Sequence, residues 1–425
     1  MTINFKNPKK MFAFLTPGLK LKRWIAACVV GLTISFLAVS RFAAADTPVE
    51  KNVLLVGIVL GLAIAIEGVR SLIASLLDAV APGKRPPIID TIYSERLLDK
   101  GPKIVAIGGG TGLSTMLSGI KHLSRNLTAI VTVADDGGSS GRLRRDFDIL
   151  PPGDLRNCIA ALADESDLMR KLFQYRFEKG EGVAGHSFGN LFITAMREIT
   201  GSFDAAIKES SKILAIRGRV LPASLESLHI KAEFYDGSFV EGEAAIPEKH
   251  MPIKRVMLVP DHATANPEAV QAIKDADLII VGPGSVYTSL LPNLLIDGIR
   301  AALEESNAFK VYICNIMTQH GETDGFTAAK HIKVLVEHSS AKVFSHCVVN
   351  HAACDTATLL KYAKEHSFPV IPDKERIEQM GVSVVVGDLI CEDKYIRHDP
   401  TKLARVISEA FAEWKKNKNT VTTAA

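Results

Sequence analysis

The sequence predicts an α/β body, a mostly parallel sheet with helices on both faces, preceded by two N-terminal transmembrane helices. Three observations carry that prediction. From residue 103 onward, short apolar runs alternate with amphipathic helical stretches. Glycine-rich polar loops follow those runs directly. Two long hydrophobic segments stand ahead of all this, within residues 1–82.

A chain of 425 residues suffices for two or three folding units with their own cores. The net charge of +3 is unevenly placed. The first 23 residues carry six lysines and arginines and no acid, so the rest of the chain is 3 minus 6, net −3. No basic body is left to grip nucleic acid. The six cysteines are scattered, with no CxxC pair. That pattern speaks against a disulfide scaffold or a zinc site and fits a reducing compartment.

Residues 24–45 hold one charge, Arg41, in 22 positions; at about 1.5 Å per residue they cross a hydrocarbon core of roughly 30 Å. The second run, 53–66, has 14 uncharged residues before Glu67 and Arg70. It spans only if its helix continues to about 77, with those two pairing at i,i+3 or snorkelling. The rival for the first run is a cleaved signal peptide ending near Ala43-Ala44-Ala45, and for the second an interfacial helix. Length and immediate succession favour a two-helix hairpin anchor. Basic residues before the first helix, with Lys84 and Arg85 after the second, put both ends in the cytoplasm, with the link 43–52 outside. The expected organisation is an anchor over 1–82 (helices about 24–45 and 53–77), a linker over 83–102, a body over 103–415 and a disordered tail over 416–425.

In the body, the apolar runs are 103–107, 128–134, 255–259, 277–281, 310–316, 342–349 and 382–386. Runs of that length separated by helices signal strands buried on both faces. Residues 228–246 instead alternate around Asp236-Gly237, a hairpin signal. Helices are expected near 153–163, 167–177 and 190–215, as an inserted layer. There is no internal repeat and no low-complexity tract. Six loops, "GGGTG", "DDGGSSG", "PDHATANP", "GPGSVYTS", "NIMTQHGET" and "VNHAACD", each follow a run. Loops at the carboxyl ends of parallel strands are where such sheets bind ligands.

The first loop, Gly108 to Gly112 with Thr111, offers bare backbone and a helix N-terminus to an anion. It is no Walker loop, and GxGxxG fails because Leu113 stands where the third glycine belongs. Asp135 and Asp136 follow the second run and suit ribose or base hydrogen bonds, a divalent ion held with phosphate oxygens, or plain turn chemistry. Ser139, Ser140 and Arg142 come next, with Arg144 and Arg145 behind them as further charge-assisted donors. "PPGDLRN" brings Asp154, Arg156 and Asn157 to a helix start, where Asp154 is alternatively an N-cap. "GHSFGNL" supplies His186 and Asn190; without GxSxG, its Ser187 is a poor nucleophile. Gly284, Ser285 and Thr288 form a second phosphate-type loop, or a plain strand–helix turn. Asn315 and Gln319 reach the same edge or serve structure alone.

"IGGGTGLST", "VTVADDGGSSGRLR", "LPPGDLRNCIAALA", "GHSFGNL", "GPGSVYTSLLPNLL", "NIMTQHGET" and "RHDPTKLA" closely resemble the gluconeogenesis-factor (YvcK) family, within the superfamily of 2-phospho-L-lactate transferases (CofD). The resemblance covers essentially the whole body, and the hydrophobic pair resembles membrane-tethered members. It implies a Rossmann-like fold binding a nucleotide sugar such as UDP-N-acetylglucosamine, and a role in cell shape and envelope synthesis on gluconeogenic carbon sources. By motif, Gly108–Gly112 and the Gly284-Ser285 loop would line the phosphates, with Asp135 or Asp136 nearest the sugar or acceptor. In the transferase branch the matching pocket takes a deazaflavin acceptor and a guanylyl-linked phospholactate, with magnesium. The segments "DDGGSSGRLR" and "PPGDLRN" depart from that branch and match the regulatory one, which puts transfer activity in doubt.

The leading expectation is thus a tethered regulator that binds a nucleotide sugar, requires no cofactor beyond an optional Mg2+ with the ligand, and signals to envelope-synthesis or signalling proteins, with homo-oligomers allowed. The rival is a magnesium-dependent phospho-transferase with Asp135 and Asp136 as catalytic candidates and Asp136 on the metal. A scaffold with vestigial loops is the third reading.

Overall fold

The computed structural model describes residues 21–80, 97–163, 167–391 and 396–424, in two compact units that divide between Tyr93 and Ser94. The N-terminal unit is a helical hairpin, α1 (Leu21–Phe42) and α2 (Pro48–Val80). Both helices are long and apolar enough to cross a membrane. The second begins five residues before the apolar run at 53 because its start is capped. Thr47 Oγ1 accepts from the Glu50 N–H at 3.2 Å, Glu50 Oε2 accepts from the Thr47 N–H at 3.3 Å, and Pro48 takes the first helical position. Glu67 and Arg70 pair on the helix surface at 3.5 Å.

Small residues let these helices touch backbone to backbone. A Cβ on Gly31 would strike the Gly61 carbonyl, and one on Gly61 would strike Ser35 Oγ. Ser35 Oγ donates to the Ile58 carbonyl at 3.2 Å. The linker expected over 83–102 falls outside the described residues through 96.

In the second unit, seven parallel strands lie in the order β10-β9-β8-β7-β1-β2-β3: β1 (Ile104–Gly108), β2 (Leu127–Val131), β3 (Arg219–Pro222), β7 (Leu278–Val281), β8 (Phe309–Ile313), β9 (His346–Asn350) and β10 (Ser383–Gly387). The chain starts in the middle, builds outward to β3, then returns beside β1 and builds the other way. The strand order therefore reverses between β1 and β7, which are buried along their whole lengths. Helix α3 (Gly110–Ile120) packs on β1 and α5 (Gly153–Leu162) on β2 and β3, with α4 (Gly138–Phe147) between them in the chain. The inserted layer is α6 (Asp167–Gln174), α7 (Phe188–Thr200) and α8 (Phe203–Ile213), with Gly201 (φ +78°) splitting the stretch expected as one helix over 190–215.

The hairpin expected over 228–246 forms as β4 (His229–Phe234) and β5 (Phe239–Glu241), followed by α9 (Ala245–Glu248). The run 255–259 belongs elsewhere than the parallel sheet. It lies in β6 (Ile253–Val259), antiparallel to β4, because it is half-exposed: Lys254 and Arg255 face out and bond Glu233. The edge strand β3 escaped prediction, being four residues ending in proline. The chain continues through α10 (Pro267–Lys274), α11 (Leu291–Leu294), α12 (Asp297–Glu305), α13 (Ala328–His338), α14 (Thr356–Lys364) and α15 (Lys374–Gln379).

The last helix, α16 (Pro400–Ala424), runs through the segment expected as a disordered tail, since nothing after Pro400 breaks a helix. It packs on α3 so closely that a Cβ on Gly119 would overlap the Pro400 carbonyl oxygen. Gly119→Ala should therefore force the two helices apart and cost about 1–3 kcal/mol. Urea unfolding of the detergent-solubilised chain, followed by fluorescence of Trp414 on α16, measures it; an unchanged midpoint would contradict this packing.

Candidate functional site

The loops after β1, β7 and β8 converge where the strand order reverses, and enclose a cleft of about 340 Å³. Of the six loops expected to share one site, "GGGTG", "GPGSVYTS" and "NIMTQHGET" line it. "PDHATANP" follows the antiparallel β6 instead, where Asn266 caps α10.

Gly108 stands behind the cleft, its carbonyl accepting from the Thr132 N–H at 2.9 Å and Asn293 Nδ2 at 3.1 Å. Gly109 runs extended into α3, with no room for a Cβ beside Asp154 Oδ2 and Thr132 Cγ2. Gly110 has φ +67°, a left-handed conformation in which a side chain would be strained and would point toward Ser289 on the cleft wall. Gly112 abuts the Pro283 carbonyl, which locks the two glycine loops together. Thr111 and Gly112 line the cleft, and their first-turn N–H groups have no intrahelical acceptor.

The Gly110 N–H is already engaged: it donates to Asp154 Oδ2 at 2.6 Å. Asp154 lies in the first turn of α5, so one carboxyl faces the N-termini of two helices. Burial raises its pKa to about 6, with the Asp135 charge adding to the rise, while the Gly110 N–H and Arg156 oppose it. Asp135 accepts from the Gly137 N–H at 2.9 Å; burial likewise lifts its pKa, and a hydrogen bond with Ser140 opposes that.

Several expected site residues are tied into structure. Asp136, expected on a metal, accepts from the Ala244 N–H at 3.0 Å and braces the loop after β5. Ser139 is buried, bonded to His186 Nδ1 at 2.9 Å and accepting from Asn190 Nδ2 at 3.0 Å, a knot between α4 and α7. Ser187 caps α7 and is fully buried, which removes it as a nucleophile. Arg142 donates to the Ala184 carbonyl at 3.0 Å. Arg156 is buried, donates to Asn157 Oδ1 at 2.7 Å and packs against Gly189.

In the β7 loop, Gly284 and Asn315 clamp each other, N–H to Oδ1 at 3.3 Å and Nδ2 to carbonyl at 3.0 Å. Ser285 Oγ accepts from Gln319 Nε2 at 2.6 Å, so Asn315 and Gln319 do reach this edge. One turn of π-helix, Val286–Leu290, follows. Thr288 is buried in it, 3.5 Å from Glu322 Oε1, and contributes no surface to the cleft. The wall is completed by residues that sequence reasoning missed: Thr115, Ser289, Glu243 after β5, and Ile396 to His398 before α16. Thr115, Ser289, Arg397 and His398 fall inside quoted motifs, "IGGGTGLST", "GPGSVYTS" and "RHDPTKLA", whereas Glu243 and Ile396 carried no signal. Among the described residues, no group of three or more His, Cys, Asp or Glu side chains is arranged to hold a metal ion.

A family model, 2-phospho-L-lactate transferase CofD, matches residues 104–390. A putative gluconeogenesis factor from Nostoc sp. is 45% identical over 417 residues, spanning 93% of this chain and 91% of the relative. The gluconeogenesis factor of Bacillus subtilis is 48% identical, spanning 73% of this chain and 99% of that one. A crystal structure from Bacillus halodurans, 47% identical, superposes with a TM-score of 0.71 over 72% of this chain and 99% of that chain.

Asp154 holds its proton more tightly folded than unfolded, so its contribution to stability is complete below about pH 3.8 and is lost as pH rises through about 6. The loss is on the order of 2–3 kcal/mol. Asp154→Asn should flatten the fall in denaturation midpoint across that window; a slope matching the wild type would show that Asp154 titrates normally.

Proposed function

The chain belongs to the gluconeogenesis-factor family of CofD-domain proteins, and from that premise we propose that it is a regulator whose body binds a nucleotide sugar of the UDP-N-acetylglucosamine type. The hairpin α1–α2 tethers it to the membrane, with the body in the cytoplasm, where it reports envelope-precursor levels to envelope-synthesis or signalling proteins and supports cell shape on gluconeogenic carbon sources. One observation carries the ligand class: two glycine loops, locked together by Gly112 against Pro283, meet in a single cleft at the strand-order reversal, and the first of them turns the Thr111 and Gly112 N–H groups of a helix start toward it. Backbone N–H groups at a helix N-terminus suit a diphosphate. Arg397 adds a cation to the same wall.

The rival, phospho-group transfer, is favoured by the extent of the CofD match over residues 104–390. With no three-ligand cluster among the described residues, a magnesium ion would draw most of its oxygens from phosphates and water. Its contribution would be neutralisation of phosphate charge.

Calorimetry of the detergent-solubilised chain with UDP-N-acetylglucosamine should show saturable binding. Gly110→Ala, which puts a methyl at the cleft wall on a strained φ, should weaken it at least tenfold. Arg142→Ala should leave it within about twofold, that arginine being spent on the Ala184 carbonyl. No heat at millimolar ligand would refute the proposal.

A further inference from the structure

Two buried polar atoms on the cleft-lining residues have no protein partner: Glu243 Oε2 and His398 Nε2. They arrive from distant parts of the chain. Glu243 follows β5 in the small antiparallel sheet, and His398 precedes α16. An unmet buried polar group is destabilising, so two of them on residues that line one cleft point to a ligand that meets them.

Their protonation states follow from their surroundings. His398 is 8% exposed, and its ring donates to the Cys314 carbonyl, which leaves Nε2 as an acceptor. Burial pushes its pKa down to about 4, so the ring is neutral at pH 7. Burial also drives the Glu243 carboxyl well above the ordinary carboxylate range, and the charges of Asp135, Asp154, Glu322 and Asp136 push the same way. Burial thus favours the protonated form of Glu243, which donates through its O–H.

We infer that Glu243 and His398, each with an unpartnered buried polar atom on the cleft wall, form a hydrogen-bonding subsite for the sugar of the bound nucleotide. The inference rests on the nucleotide-sugar reading above and adds the residues that tell the sugar from the bare nucleotide. A phosphate is a poor occupant of the position beside Glu243, because the anion would face the charges of Asp135, Asp154, Glu322 and Asp136 there. Hydroxyl and amide groups, which donate and accept without charge, match the pair.

The test is calorimetry of the full detergent-solubilised chain with UDP and with UDP-N-acetylglucosamine, melting temperature being recorded for each variant. The wild type should bind the sugar nucleotide more tightly than UDP. Glu243→Ala and His398→Phe should each lose about tenfold for the sugar nucleotide and no more than about twofold for UDP. Glu243→Gln keeps a donor and should hold the sugar's affinity within about twofold. It should also abolish the decline in sugar affinity that the wild type shows with rising pH as Glu243 ionises. If either truncation fails to fold, this pH comparison decides. An unchanged gap between the two ligands in both truncations, or a common pH slope, overturns the inference while UDP binding keeps the cleft reading intact. A wild type that binds neither ligand overturns both.

Discussion

The rim of the sheet is organised around the hydrogen bond from Gly110 to Asp154. A helix that starts beside a strand end leaves its first N–H groups unpaired, and here one of them is answered by a carboxyl from the next helix but one. The bond accounts for the residue types around it. Gly109 has no Cβ because the carboxyl fills that space, and Gly110 takes a left-handed turn that aims its N–H at Asp154. The same carboxyl sits at the start of its own helix, so the positive ends of two dipoles share one acid whose burial disfavours its charge. The rim is therefore shaped before any ligand arrives, at some electrostatic cost.

Legibility in the sequence followed burial. The runs that became β1 and β7 were readable because both faces of each strand are covered, leaving continuous apolar letters. The run at 255–259 looks the same in isolation, but Lys254 in front of it and Arg255 at its start face solvent and mark a half-exposed strand. β3 was invisible because an edge strand needs few apolar residues and tolerates its closing proline. At the site, sequence revealed which residues have useful chemistry and not which way they face. Ser139, His186 and Asn190 spend their polar groups on one another, and Asp136 spends its on a backbone N–H. Glu243 reaches the cleft only through the fold of a second sheet, which no local spacing encodes.

The relatives divide the chain at the same place as its geometry. The Bacillus subtilis protein is matched over 99% of its length by 73% of this chain, so the body alone corresponds to a nearly whole relative. The Nostoc match, over 93% of this chain, extends into the helical hairpin. The contacts of Gly31, Gly61 and Ser35 give that hairpin an internal interface of its own, so its pairing requires nothing from the sheet.

The wide turn at Val286–Leu290 has a consequence for how this family can vary. Its Leu290 N–H bonds back to Ser285, five residues earlier, at 3.0 Å, so the turn holds one residue more than an α-turn needs. A chain losing a single residue there could tighten into ordinary helix, leaving strand and helix on either side in place while Ser289 swings around the axis. Length variation at that point would thus act as a dial on what the cleft presents, without disturbing the scaffold beneath it.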